Sequence, residues 1–303
     1  MGYYSLDEYK KNKNMELFME EINIGVIGGS GVYNLNNIKT IDEIEINTPF
    51  GSPSDKYIIG ELNGIKLAFL SRHNRSHKIL PSELNNKANI YGFKKLGVKS
   101  LIGVSAVGSL KEEIAPSHIV FPDQIIDRTK GRDSSFFGNG IVAHIGFAEP
   151  FCHNLNTLFE ESAKKLNITY HKNKTYVCME GPAFSTRAES NFHRSIGGDI
   201  IGMTAIPEAK LAREAEICYG IIALSTDYDC WRENEEAVTV EMIVETLHKN
   251  SETAKRILVD IIPKLNYKDC TCRHCLDTAI ITQKNVWSDK AVKNLDVILK
   301  RFI

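Results

Sequence analysis

Ile24-Gly25-Val26-Ile27-Gly28-Gly29-Ser30-Gly31 leads an apolar, β-branched run of strand length directly into three glycines and a serine. The run reads as a buried strand, and the glycines permit positive φ and close approach of the backbone to a ligand. A ligand there would meet several backbone N–H donors and one hydroxyl, which suits an oxyanion such as phosphate. The same residues also serve as a tight strand-to-loop turn that binds nothing. A G-x-G-x-x-G dinucleotide fingerprint would need glycine at Tyr33 or its neighbours, and no Lys-Ser/Thr pair follows to make a P-loop.

Working outward, the pattern of the first strand recurs. Tyr57–Leu62 and Ile65–Leu70 flank Asn63-Gly64, a pair suited to a type I′ hairpin turn. Ser71-Arg72-His73-Asn74-Arg75-Ser76-His77 follows, placing two arginines and two histidines at a strand end, where sites collect in α/β sheets. Asn85–Leu96 reads as a helix, stopped by Gly97 and followed by a strand at Ser100–Val104. Ser105-Ala106-Val107-Gly108-Ser109 then reads as a second small-residue turn. Ile119–Ile126, Thr175–Met179 and Ile217–Ser225 are further strands. His153–Leu166, Ala188–Ile196, Pro207–Ala215 and Val238–Ile262 are helical by pattern, with Pro207 suited to a helix start. Residues 130–140 form a polar loop, and Trp287–Ile303 reads as a terminal helix over the site or at a subunit interface. Strands alternating with helices imply an α/β fold, a single domain around a mostly parallel or mixed sheet flanked by helices. The expected layout is a polar extension over 1–21 and one domain over 22–303, ending in a cysteine-containing turn and helix from 269.

Composition narrows the function. At 303 residues, with 43% hydrophobic and 25% charged residues, the chain can bury a sizeable core. A formal charge of −1 gives no electrostatic reason to expect nucleic acid or an anionic membrane. No apolar run reaches transmembrane length. Seven cysteines are odd in number and sparse for a disulfide scaffold, so a reducing cytoplasm is the expected compartment.

Asp227 and Asp229 close the last strand in Thr226-Asp227-Tyr228-Asp229-Cys230-Trp231. In an extended chain the two carboxylates point to one side, and each raises the proton affinity of the other, which suits a general acid. A helix cap plus a surface aspartate would give the same letters. Ser30, Arg72, His73 and Ser105 follow other apolar strands, so oxyanion donors and an acidic pair could converge on one face of a sheet. Phosphate recognition combined with protonation of a leaving group is the chemistry of phosphorolysis.

From about Ile24 to about Ile262 the chain resembles the trimeric purine nucleoside phosphorylase family, and within it the 5′-methylthioadenosine phosphorylases. The resemblance rests on Gly28-Gly29-Ser30-Gly31, Thr48-Pro49-Phe50-Gly51-Ser52-Pro53-Ser54-Asp55, Arg72-His73 and Asn85-Asn86-Lys87-Ala88-Asn89. It continues through Gly108-Ser109-Leu110, Ala148-Glu149-Pro150-Phe151-Cys152, Glu180-Gly181-Pro182, Met203-Thr204 and the Asp227 block. The resemblance implies a phosphate site of Ser30, Arg72, His73, Ser105, Ala106 and Thr204, with Arg72 making a multi-toothed contact. It implies Phe184 against the purine, Met203 against the ribose, Asp227 at purine N7 and Asp229 at the exocyclic amine. Ser185 and Val240 would tune the accepted nucleoside, and His144 would reach the 5′-substituent from a neighbouring subunit of a homotrimer. The implied activity uses inorganic phosphate as co-substrate and no metal or organic cofactor; 6-oxopurine or methylthioinosine phosphorolysis is the alternative, and a dinucleotide-binding protein a remoter one.

Two departures from the family pattern matter. Ala183 and Gly202 stand where adenine-specific members often carry Arg and Asn, and Gly202-Met203 looks like the broader purine nucleoside phosphorylases. Those 6-oxopurine enzymes place Asn where this chain has Asp227, so the aspartates favour a 6-aminopurine. Cys270-Thr271-Cys272-Arg273-His274-Cys275 lacks a separated second ligand pair, so no metal is assigned and an exposed thiol cluster or an optional disulfide is expected.

Overall fold

The structure is a computed structural model, and it describes residues 22–29, 38–232, 240–266 and 270–303. The expected extension over 1–21 and Ser30 lie outside the described residues, as does the side chain of Val240.

Among the described residues the strands are β1 (Ile24–Gly28), β2 (Lys39–Ile44), β3 (Tyr57–Leu62), β4 (Ile65–Ser71), β5 (Ser100–Ser109), β6 (Ile119–Arg128), β7 (Tyr170–Met179), β8 (Ile200–Gly202) and β9 (Cys218–Asp227). They form one mixed sheet in the order β2-β3-β4-β1-β5-β8-β7-β6-β9, and β9 also returns to pair with β5. The last five strands therefore close into a ring of hydrogen-bonded neighbours. β1 is buried along its whole length and runs parallel to both β4 and β5, pairing Ile27 with Leu70 and with Gly103. A strand covered on both faces needs an unbroken apolar run, which is why Ile24–Ile27 does not alternate.

The pleat sends successive side chains into two cores. Ile27, Leu70 and Leu101 face one, with α1 (Asn86–Lys95) and α4 (Ala205–Glu214) packed over them. Val26, Phe69 and Ile102 face the other, covered by α2 (His153–Lys165) and α5 (Val240–Ile261). α3 (Arg187–Ser195) opens on a capping box between Thr186 and Glu189. Within α4, Ile206 is extended (φ −109, ψ 133), so the regular helix begins at Pro207 as its sequence suggests. Asn63 (φ 51) and Gly64 (φ 80) make the hairpin turn.

Several expectations are corrected. Ser105–Ser109 is not a turn but the continuation of β5, paired in parallel with β9 from Ser100↔Cys218 to Gly108↔Asp227. Its small residues serve close strand approach: a Cβ on Gly108 would sit 3.0 Å from Asp227 Oδ1. β2 and β8 were not expected, because β2 is an exposed edge with little apolar signal and β8 has three residues. The terminal helix is confined to α6 (Asp289–Asn294); after it Leu295, Ile298 and Leu299 turn into the first core, and Asp296 accepts from the Tyr91 hydroxyl. Cys270 and Cys272 are buried in the second core, not exposed, because the chain there packs against α2 and the start of β9.

The Thr48–Asp55 stretch has a bracing role. Buried Asn89 accepts from the Ser54 N–H (2.8 Å) and donates to Ser54 Oγ (2.9 Å), while the Tyr57 hydroxyl donates to its carbonyl (2.7 Å). On the other side, Asn74 Nδ2 donates to Ser54 O (3.2 Å) and Arg75 N–H to Asp55 Oδ2 (3.0 Å). The stretch thus ties α1 to the loop that follows β4. Asn89→Ala strands two polar groups of Ser54 in the interior and is expected to cost about 1–3 kcal/mol, read as a lower midpoint in chemical denaturation with an unchanged slope.

Candidate active site

A cleft of about 640 Å³ opens where β1, β4, β5, β8 and β9 end. Arg72, His73, Ser105, Ala106 and Thr204 line it together with Phe184, Ser185, Met203, Asp227 and Asp229. Ten of the residues singled out in the sequence therefore share one cavity. His144 does not: it is exposed on the segment whose backbone bonds to Ala279 (2.9 Å), outside the cleft of its own chain. Ser30 and the Val240 side chain lie outside the described residues.

Arg72 anchors the inner end. Its own N–H donates to Gly28 O (2.9 Å), which registers the end of β4 against β1. The buried guanidinium donates through Nε to Glu208 Oε1 (2.5 Å) and through Nη2 to Glu208 Oε2 (3.2 Å) and Ile27 O (3.2 Å). Nη1 donates to Val104 O (3.0 Å). Four of the five guanidinium N–H groups are thus engaged within the protein. The multi-toothed fork expected for an anion is turned onto Glu208, and one Nη1–H has no acceptor among the described residues. Glu208 is fully buried on α4 and also accepts from the Tyr219 hydroxyl (2.8 Å). Its charge and hydrogen bonds outweigh the effect of burial and hold the Arg72 proton above its ordinary range.

His73 Nδ1 faces Ile79 O at 2.8 Å, the geometry of an N–H donor, which leaves Nε2 as the acceptor of a neutral ring. Burial, reinforced by the Arg72 charge, pushes its pKa down to about 4. His77 stacks on it with ring centroids 4.9 Å apart, and Lys78 lines the same rim. Opposite, the Ser105 and Thr204 hydroxyls meet at 3.1 Å. The inner end therefore offers two hydroxyls, an imidazole and a charge-balanced guanidinium.

The outer end is acidic. Asp227 Oδ1 accepts from the Asp229 N–H (2.7 Å), and its Oδ2 from Thr226 Oγ1 (2.6 Å). The pair is not the two same-side positions of an extended strand: β9 stops at Asp227, and Asp229 lies in the left-handed region (φ 53). An Asx-type turn, in which a side chain stands in for backbone, brings the two into one cleft. Burial above all pushes the Asp229 carboxyl up, only partly offset by the Ser190 and Ser185 hydroxyls and the Cys230 N–H. The mutual repulsion with Asp227 expected from the sequence is not among the leading causes, where the one neighbouring acid is Glu189.

Between the ends the wall is apolar: Val107, Met179, Pro182, Ile201 and Met203, with Phe184 52% exposed at the mouth. Arg132 holds this wall in place. It donates to the carbonyls of Met203 (2.7 Å), Ile206 (2.7 Å) and Glu180 (2.7 Å) and pairs with the Glu180 carboxylate (3.1 Å). Glu208, Tyr219 and Arg132 escaped the sequence analysis. Arg132 lies in a stretch that reads as a polar loop, and Glu208 is one of two acids in a helix pattern. Its one signal is an acid beside Pro207 in an otherwise apolar turn.

Comparisons with known proteins show what the whole chain is similar to. Residues 23–263 match the family model described as the phosphorylase superfamily. The chain is 51% identical over 287 residues to an S-methyl-5′-thioadenosine phosphorylase of Geobacter sulfurreducens, covering 94% of this chain and 100% of that protein. It is 49% identical over 261 residues to one of Nitrosopumilus maritimus, covering 86% and 98%. A crystal structure of a methylthioadenosine phosphorylase from an Antarctic soil metagenomic library superposes with a TM-score of 0.89 at 42% identity, over 92% of this chain and 99% of that one. That of a methylthioadenosine phosphorylase from Schistosoma mansoni in complex with adenine gives 0.78 at 32%, over 92% and 98%.

Glu208→Ala leaves the Arg72 charge buried and uncompensated, and is expected to lower unfolding stability by about 3–5 kcal/mol in denaturant titration. The pH dependence follows from His73. Its folded pKa of about 4 lies below its ordinary 6.5, so the unfolded chain takes up the proton first. Stability present above pH 6.5 is lost as pH falls toward 4, and His73→Gln should flatten that part of the wild-type Tm profile while leaving the neutral-pH end unchanged.

Proposed function

The chain belongs to the phosphorylase superfamily, and we propose that it splits S-methyl-5′-thioadenosine with inorganic phosphate into adenine and 5-methylthioribose 1-phosphate. One observation carries this reading: a single cleft joins hydroxyl, imidazole and guanidinium groups at its inner end to an acidic pair at its outer end, across an apolar wall. The curated relatives reported above are named for the same substrate.

In this mechanism phosphate occupies the inner end, against the Ser105 and Thr204 hydroxyls, Ala106 and the remaining Arg72 Nη1–H. Neutral His73 presents Nε2 to a protonated phosphate oxygen. The Arg72–Glu208 pair is nearly charge-neutral, so orientation by hydroxyls, with Lys78 at the rim, matters more than bulk attraction. Met203 packs on the sugar and Phe184 on the purine. As the glycosidic bond breaks, negative charge gathers on the base and positive charge on the sugar. The Asp229 carboxyl, raised by burial, and Asp227 beside it supply proton and hydrogen bonds at N7 and the 6-amino group, while the phosphate anion stabilises the oxocarbenium-like sugar and then captures it. Phosphate is the only co-substrate; the chemistry draws on no metal or organic cofactor.

Asp227 and Asp229 carry the base preference, because position 202 has no room for a recognition side chain. A Cβ on Gly202 would lie 2.0 Å from the Tyr176 hydroxyl. The assembly proposed is a cytoplasmic homotrimer. It accounts for His144 lying outside its own cleft, on a surface where Val142 is 45% and Ile281 63% exposed and their backbones are bonded together.

Adenine release from methylthioadenosine is expected to require phosphate, and equal release in its absence would overturn the reading. Asp227→Asn replaces an acceptor with a donor at the base. It is expected to shift the ratio of kcat/KM for methylthioadenosine over inosine by roughly tenfold to a hundredfold toward inosine, from about 1–3 kcal/mol per mismatched buried polar group. For the trimer, light scattering should give three chains per particle, and His144→Ala should change selection of the 5′-substituent more than the phosphate KM.

A further inference from the structure

Four thiols from three separate parts of the chain meet in the second core. Cys152 is the N-cap residue of α2, Cys218 opens β9, and Cys270 and Cys272 sit at the start of the Thr271–His274 turn. Their sulfurs all lie within 4.8 Å of one another, all four residues are buried, and Cys152 Sγ is 3.5 Å from Cys270 Sγ. Tetrahedral zinc with Zn–S bonds of about 2.3 Å holds its sulfurs about 3.8 Å apart. A disulfide joins two sulfurs at about 2.0 Å and leaves the others outside the bond, whereas here each sulfur neighbours the other three. All four cysteines are free.

We propose that Cys152, Cys218, Cys270 and Cys272 bind one zinc ion as a closed, structural tetrathiolate site. The separated second pair missing from the C-x-C-x-x-C segment is supplied in space by Cys152 and Cys218, and Cys275 is not a ligand. The metal assignment made from sequence is thereby reversed. Four soft thiolates in one buried cluster favour zinc among the common divalent ions, and four protein ligands leave no position for a substrate.

The surroundings suit four thiolates around a divalent ion, a unit of net charge −2. Cys152 occupies the N-cap of α2, and a helix N-terminus favours a thiolate. The Arg213 guanidinium reaches Cys275 Sγ at 3.6 Å, so a cation stands beside the turn that carries Cys272. Each ligand enters as thiolate and its proton leaves to solvent, so binding weakens as pH falls. The ion would clamp the C-terminal segment to α2 and to the start of β9, the end remote from Asp227. The inference is independent of the substrate read for the cleft.

The test uses the intact protein purified under reducing conditions from zinc-replete cells, with metal measured by plasma mass spectrometry. About one zinc per chain is expected, released stoichiometrically when a mercurial blocks the thiols. Exchange for cobalt should give thiolate-to-metal charge transfer and the strong visible bands of a tetrahedral site. Cys218→Ser should lose the metal, and Cys275→Ser should keep it. A metal-free chain that takes up neither zinc nor cobalt when reduced would overturn the proposal. So would a disulfide among the four in protein handled without oxygen, or iron or copper in zinc's place. The wild-type zinc count and cobalt spectrum stand even if Cys218→Ser fails to fold.

Discussion

A buried guanidinium held by a buried carboxylate fixes the geometry on which the cleft depends. Arg72 and Glu208 link the end of β4 to α4, and through Ile27 O and Val104 O the same guanidinium closes over the ends of β1 and β5. Such a pair returns little net stability, since desolvation offsets most of the attraction, but removing one partner leaves a bare charge in the core. Its value is positional. With four donors spent on protein, Arg72 cannot swing to follow a ligand. The hydroxyls of Ser105 and Thr204, the His73 ring and the last Nη1–H are held at fixed relation to one another.

Steric constraint does at the outer end what charge does at the inner one. Gly181 adopts φ +72, and a Cβ there would fall 2.5 Å from Met203 Sδ. Gly202 makes room for the Tyr176 hydroxyl and Gly108 for the Asp227 carboxylate. These positions have no slack for a side chain, so the apolar wall and the acidic pair stand where backbone packing puts them. Arg132 then locks that wall from behind through the carbonyls of Met203 and Glu180.

The parts of this arrangement legible in the sequence are those with a local signature. The Ile24–Ile27 run and the Asn63-Gly64 hairpin each announce themselves within a few residues, and each is present. Strand-end positions of Arg72, His73, Asp227 and Asp229 follow from the same logic. What composition hides is long-range partnership. Ser105–Ser109 has the letters of a turn, yet pairing with β9 makes it a strand. Nothing near Arg72 names Glu208, 136 residues away, as its partner. Cys152 and Cys270, 118 residues apart, meet only because α2 and the C-terminal segment pack on one end of β9. That strand carries both ends of the account: Cys218 opens it and Asp227 closes it, about 30 Å apart at the usual rise per residue.

The central claim is that phosphate is a reactant in this cleft and not an ornament of it. Phosphorus NMR of the protein turning over methylthioadenosine in phosphate buffer tests this directly. The account predicts a sugar 1-phosphate resonance growing in step with free adenine, at the expense of inorganic phosphate. Adenine appearing while the phosphate signal stays undiminished would mean that water is the nucleophile, and would contradict it.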